Sequence, residues 1–257
     1  HLYAIWDGSE LYFTNSTFTP KSSTEPNPLS YVAEYNINQA GTDFVTELTT
    51  CNISGYFQYN KAVTLFSDIT IENKQYHLPS IEEWRSVVPQ NAYWVHYETN
   101  DAYDDRVENV TIANSSYTMT SDFRNKSAIK TTYALRYKGT DLISAWKYEF
   151  KYYDTNNCHL KITSRSVYGQ TITITDIANG TFWSTNTEND FVRYLPASGW
   201  GYTDNVYWVR RLCFVWSSSP GDSGGAWIMR LNNSRAYSGD TDDPYRKLIV
   251  RLFTTSN

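Results

Sequence analysis

Cysteine, methionine and charge are all in short supply in this chain, and each shortage excludes something. The three cysteines, Cys51, Cys158 and Cys213, are an odd number with no C-x-x-C pair. No zinc pattern exists, and at most one disulfide can form, leaving one thiol over. The expected role is that of small buried hydrophobes. Methionine falls to 2 residues and charged residues to 19%, with a net charge of −5 and the 22 basic residues scattered along the chain. The electrostatic footprint of a phosphate-backbone binder is missing, which excludes nucleic acid as a partner. No stretch approaches the roughly 20 apolar residues of a membrane-spanning helix, so no membrane span is expected. No secretory leader is recognisable, and a start at His1 rather than Met suits a mature or truncated chain. Neither an internal repeat nor a low-complexity linker marks a domain boundary.

What is abundant is aromatic surface. Tyrosine reaches 22 residues and tryptophan 9, which favours strands and half-exposed aromatic faces over long helices. Tyr3-Ala4-Ile5-Trp6 and Leu11-Tyr12-Phe13 flank Asp7-Gly8-Ser9, so a hairpin is expected over Leu2–Phe13. Pro20, Pro26 and Pro28 mark 19–30 as loop. Ser80-Ile81-Glu82-Glu83 is a capping box, which predicts a short helix with Ile81, Trp84 and Val88 on one face and Pro89 as its stop. From 132 to 176 the period becomes two. Tyr133, Leu135 and Tyr137, then Trp146, Tyr148 and Phe150, predict antiparallel strands joined at Gly139-Thr140-Asp141, and a second hairpin is expected from Leu160–Ile162 to Thr171–Ile174. The last sixty residues read as long structured loops, with short strands at about 226–231 and 247–253.

An ordered series of motifs then stands out: Leu78-Pro79-Ser80-x-x-Glu83-Trp84, Phe182-Trp183-Ser184, Arg193-Tyr194-Leu195-Pro196-Ala197-Ser198-Gly199-Trp200, Val215-Trp216-Ser217-Ser218-Ser219, Ala226-Trp227 and Arg246-x-x-x-Val250-Arg251. In this order they resemble bacterial surface proteins that carry the Fibrobacter succinogenes major paralogous domain. Those have a C-type lectin-like fold that formylglycine-generating enzymes also use. The resemblance covers about 56–257 and implies an α+β fold with small antiparallel sheets, few short helices and long structured loops, its two ends meeting in one sheet. Trp84 and Trp216 would anchor the core, and Arg251 would point outward or pair with a buried carboxylate. Residues 1–55 are an N-terminal hairpin and loop segment, either part of the same domain or a separate module. The resemblance also implies a cell-surface or periplasmic location.

Several chemical patterns in the chain have plainer accounts. Gly221-Asp222-Ser223-Gly224-Gly225 copies the nucleophile segment of trypsin-like proteases, but no histidine stands in the context such a triad needs, and a glycine-rich turn accounts for it better. Glu25-Pro26-Asn27 copies a calcium-lectin triplet but lies upstream of the whole lectin-like region. Asp240, Asp242 and Asp243 could offer oxygens to Ca²⁺, though a solvated acidic turn is the preferred reading, and no metal or cofactor is expected. Glu82-Glu83 is accounted for by capping and Asp104-Asp105 by a solvated loop. Formylglycine-generating activity needs a C-terminal cysteine pair, and only Cys213 lies there. Sequons such as Asn15-Ser16-Thr17, Asn52-Ile53-Ser54 and Asn179-Gly180-Thr181 matter only in a glycosylating host.

What remains is a binding surface. Trp200, Tyr202, Tyr207, Trp208, Arg210 and Arg211 crowd a loop that is otherwise Gly, Asp and Asn, the residue types with which sugars and protein hot spots are gripped. The expectation is a non-enzymatic recognition or adhesion protein with a glycan or surface protein as partner. A structural subunit of a surface appendage is the alternative, and a serine hydrolase using Ser223 the third reading.

Overall fold

The computed structural model describes residues 3–6, 11–14 and 27–255, and every element below belongs to these. The strands are β1 (Tyr3–Trp6), β2 (Leu11–Thr14), β3 (Phe57–Gln58), β4 (Ile69–Ile71), β5 (Lys74–His77), β6 (Ala102–Ile112), β7 (Ser115–Lys126), β8 (Thr131–Lys138), β9 (Ser144–Lys151) and β10 (His159–Ser166). After them come β11 (Phe191–Pro196), β12 (Trp200–Tyr202), β13 (Asn205–Tyr207), β14 (Leu212–Pro220), β15 (Ala226–Asn232), β16 (Ala236–Asp242), β17 (Lys247–Leu248) and β18 (Phe253–Thr254). The helices are short: α1 (Tyr59–Leu65), α2 (Ile81–Val87) and α3 (Ile174–Ile177). The protein is therefore an α+β chain built mostly of antiparallel sheet.

The N-terminal ribbon forms as expected, β1 pairing with β2 in the register Tyr3↔Thr14, while its turn lies outside the described residues. Helix α2 starts where the capping box put it. Ser80 Oγ accepts from the Glu83 amide at 3.2 Å and Glu83 Oε2 accepts from the Ser80 amide at 2.7 Å, satisfying two of the amides that a helix start leaves unpaired. Ile81, Trp84 and Val88 are all buried, as the spacing predicts.

Beside α2 lies a six-stranded antiparallel meander, in the order β11-β10-β9-β8-β7-β6. Its strands β8 and β9 depart from simple in-and-out alternation: β8 is buried at seven consecutive positions. One face packs into the core that holds Trp84, Ala134, Trp146 and Tyr148. The other is covered by α3 and the 180–184 turn, with Tyr133, Leu135, Ile177 and Trp183. Arg136, at a polar position of the alternation, is thus inside.

Three further expectations are corrected. Thr171–Ile174 is no strand, because Thr173 and Asp176 form a second capping box that starts α3 at Ile174, and β10 pairs instead with β9 and β11. Asp104 and Asp105 are part of β6 rather than a solvated loop, and they pair with Arg124 and Lys138. The last sixty residues hold far more sheet than expected, chiefly the meander β14-β15-β16.

The two ends of the 27–255 segment do meet. Val32 bridges Phe253, β3 pairs with β17, and β5 pairs with β18. Residues 27–55 send Leu29, Tyr31, Val32 and Cys51 into one core cluster and Ala33 and Ile37 into another, the latter with Trp216 and Val250. Arg251 neither points outward nor meets a carboxylate. It is fully buried, and its guanidinium donates to Asn36 Oδ1 at 2.7 Å and to the carbonyls of Ala33, Glu34 and Tyr194 at 2.9, 2.5 and 2.8 Å.

Candidate recognition site

The small sheet β13-β12-β17-β3 presents the aromatic residues singled out in the sequence. Strands β12 and β13 form a hairpin in the register Trp200↔Tyr207, Gly201↔Val206 and Tyr202↔Asn205. Residues 202–208 are exposed without a break, so the hairpin stands off the body of the protein. Its base is clamped at Gly199, which has φ +72° and leaves no room for a side chain: a Cβ there would lie 2.1 Å from the Tyr207 carbonyl oxygen.

Trp200 and Tyr207 stack, with ring centroids 4.9 Å apart and planes at 29°. The Arg246 guanidinium lies 4.2 Å from the Trp200 ring, so three flat groups make one pile. Arg246 is itself held by Asp242 at 3.0 Å. Burial raises the Asp242 carboxyl above its ordinary range, against the opposing pull of the Asp243 amide and Arg246. The same hairpin exposes the rings of Tyr202 and Trp208, and the turn before β17 exposes Tyr245, which is 72% exposed. Trp208 carries a backbone cost as well: its φ is +59°, a left-handed conformation worth about 1–2 kcal/mol of strain in a residue with a side chain. The turn into β14 fixes this conformation, the Trp208 carbonyl accepting from the Arg211 and Leu212 amides at 3.1 and 3.3 Å, and it leaves the ring 55% exposed.

Arg211 is engaged elsewhere, and Arg210 is tied to the same neighbour through its main chain. The Arg210 carbonyl accepts from the Asp154 amide at 3.0 Å, and Arg211 makes a two-point contact with the Asp154 carboxylate, both distances 3.2 Å. The cation of the aromatic face is Arg246, which sequence reasoning missed. Only the pairing of β12 with β17 through Gly201 and Lys247 brings the turn before β17 to the hairpin, and no spacing in the sequence announces that bridge.

The other sequence candidates take structural places. Ser223 is exposed at the tip of the β14–β15 turn, which Gly221 closes by donating to the Gly225 carbonyl at 2.9 Å. The described histidines hold other partners: His77 contacts Glu83, His96 contacts Thr99, and His159 contacts the Asn157 carbonyl. Asp240 pairs with Arg230 and Asp242 with Arg246. Among the described residues no cluster of three or more His, Cys, Asp or Glu is arranged as metal ligands. Of Glu25-Pro26-Asn27, the first two lie outside the described residues. Asn27 caps the turn at Pro28–Tyr31 and donates to Ser164 Oγ.

The chain matches, over residues 24–253, the protein family described as a domain of unknown function, DUF8237. It belongs to that family. The DUF8237 match takes in the meander, the aromatic hairpin and the paired C-terminal strands alike. No curated protein and no solved structure gives a match.

Proposed function

We propose that this DUF8237 protein is a non-enzymatic recognition or adhesion protein of a cell surface or periplasm, with a C-type lectin-like fold related to the Fibrobacter paralogous domains. The pairing of the two chain ends and the burial of Trp84 and Trp216 in adjoining cores support the fold relationship. One observation carries the functional reading: the hairpin braced by the stack of Arg246, Trp200 and Tyr207 leaves the rings of Tyr202 and Trp208 about half exposed. Pre-ordered aromatic anchors lose little conformational entropy on binding, which is what interface hot spots require. The hairpin offers a raised edge rather than a concave floor, and this favours a surface protein over a sugar ring as its partner.

Protein and glycan arrays probed with the purified chain test this. A partner captured by the wild type and held at least tenfold more weakly by Trp208→Ala and Tyr202→Ala, at unchanged thermal midpoint, supports the reading. Partners held equally well by both variants, or none on any array, would overturn it.

A further inference from the structure

A second site lies away from the hairpin. A cleft of about 410 Å³ opens between the end of α2, the 90–94 loop, β6 and β16. That volume is within the roughly 300–1,000 Å³ of small-molecule sites. Its position is set by backbone bonds: the Pro89 and Val95 carbonyls accept from the Ser238 and Ala236 amides at 3.0 and 3.1 Å, which zips the chain after α2 onto β16. Gly239 lets that chain come close, since a Cβ there would sit 2.5 Å from the Gln90 carbonyl oxygen.

Three aromatic rings from two elements wall the cleft, and each is braced. Trp94 stacks on Phe123 with centroids 5.5 Å apart. The Tyr237 hydroxyl donates to Asp240 at 3.0 Å. Tyr93 is turned by the Asn91 side chain, whose Oδ1 accepts its amide at 2.9 Å, and the Arg235 guanidinium lies 5.8 Å from its ring. The rim carries the carboxamides of Gln90, Asn91 and Asn109. Arg85 contributes a buried Nε with no hydrogen-bond partner in the protein. The carboxylate at the floor, Glu108, is neutralised by Arg136 at 2.8 Å.

We propose that this cleft binds a pyranose ring of a saccharide. The ligand class follows from what the lining offers and withholds. Aromatic faces suit the apolar C–H face of a sugar, while amide and guanidinium groups suit its ring of hydroxyls. An alkyl ligand would cover the buried Arg85 Nε without offering it an acceptor, at about 1–3 kcal/mol. A nucleotide would find a single cation, Arg85, already facing Glu82 at 3.4 Å, and no lysine, glycine-rich loop or long helix N-terminus for its phosphates. The site goes beyond the hairpin reading and does not depend on it.

Saturation-transfer NMR and calorimetry with the methyl glycosides of glucose, galactose, mannose, N-acetylglucosamine and glucuronic acid, and with cellobiose, lactose and chitobiose, test the proposal. At least one probe is expected to bind, and Tyr93→Ala and Asn109→Ala, both surface changes, are each expected to weaken it fivefold or more. Trp208→Ala is expected to leave it unchanged, which separates this site from the hairpin. Tighter binding of the glucuronide than of the neutral glycosides would put its carboxylate on Arg85. No binding by any probe, or binding insensitive to both Tyr93→Ala and Asn109→Ala, would overturn the assignment.

Discussion

The indole N–H of Trp84 donates to the main-chain carbonyl of Trp216 at 3.2 Å, and both rings are wholly buried. One bond thus joins the helix after the capping box to the meander β14-β15-β16, two parts of the chain 132 residues apart. Trp84→Phe keeps most of the apolar contact, including the edge-on packing against Phe253, but leaves the Trp216 carbonyl without that donor. Urea unfolding should show a loss of about 1–3 kcal/mol. Trp84→Ala should lose about 3–5 kcal/mol, because a cavity is added to the lost contact. A loss under about 0.5 kcal/mol for both would mean that the two segments are held by something else.

The start of α2 should be sensitive to acid. Burial by itself raises the Glu83 carboxyl, but the hydrogen bond and charge of His77 and the Ser80 amide outweigh it, so the folded carboxyl lies below its ordinary 4.5. Such a group contributes stability above that value and loses it as pH falls through the lowered folded pKa. Ser80→Ala should cost about 1 kcal/mol at pH 7. Glu83→Gln should flatten the acid limb of a stability profile below pH 4.5. An unchanged limb would refute the assignment.

That much could be read ahead of the fold. The capping box, the spacing of Ile81, Trp84 and Val88, and the alternation over 133–150 are local signals, and the structure has the elements they imply. Arg136 and Arg251 were out of reach, because a buried arginine is decided by acceptors that arrive from remote segments, as the carbonyls of Ala33 and Tyr194 do at Arg251. The aromatic hairpin was legible as composition, and its cation was not, since Arg246 reaches Trp200 only through tertiary pairing. The cleft had no local signature at all: Tyr93, Asn109 and Tyr237 are a dispersed set that only the zipping of 89–95 onto β16 brings together.

Arg136 is fully buried, and it works as a C-cap for α2 as much as an ion partner. Its guanidinium donates to the carbonyls of Arg85, Ser86 and Val87 at 2.7 to 3.0 Å while meeting Glu108 at two points, 3.0 and 2.8 Å. Arg136→Met strands both the carboxylate and the helix end, and should cost about 3–5 kcal/mol. The pair Arg136→Met with Glu108→Leu should recover part of that loss, because the unpaired charge goes with it. Chemical denaturation of Arg136→Met, Glu108→Leu and the double variant against the wild type closes a double-mutant cycle and checks the sign of the coupling.

His159 should make the protein less stable in mild acid. Burial pushes its imidazole below the ordinary 6.5, aided by Lys161 and Lys151 and opposed by the Asn157 carbonyl. The neutral ring donates from Nδ1 to that carbonyl at 2.6 Å, between the rings of Tyr152 and Tyr194. With the folded pKa below the unfolded one, the unfolded chain takes up its proton first, so stability falls as pH drops below 6.5. Thermal midpoints between pH 8 and 5 should decline less steeply in His159→Phe. An equal slope would place the effect on other groups, such as His96.

The thiols should be inert in the native state. Cys51 Sγ donates to the Cys158 carbonyl at 3.1 Å, and burial pushes both Cys158 and Cys213 up to about 12, with further small shifts from neighbouring groups. A thiol with so little thiolate at pH 8 reacts slowly with iodoacetamide. Labelling followed by mass spectrometry should find no adduct on the folded protein and all three cysteines modified in guanidinium chloride. Stoichiometric labelling of the native protein would contradict their burial.

Strand β17 is two residues long, yet it bridges β12 to β3, with Lys247 opposite both Gly201 and Gln58 and Leu248 opposite Phe57. The residue just before it is Arg246, whose guanidinium faces the Trp200 ring, so the strand that closes the sheet also sets where the cation sits. A slip of one residue in that short register would turn Leu248 away from Phe57 and carry Arg246 off the indole in one step, tying the geometry of the hairpin to the packing of the opening strand.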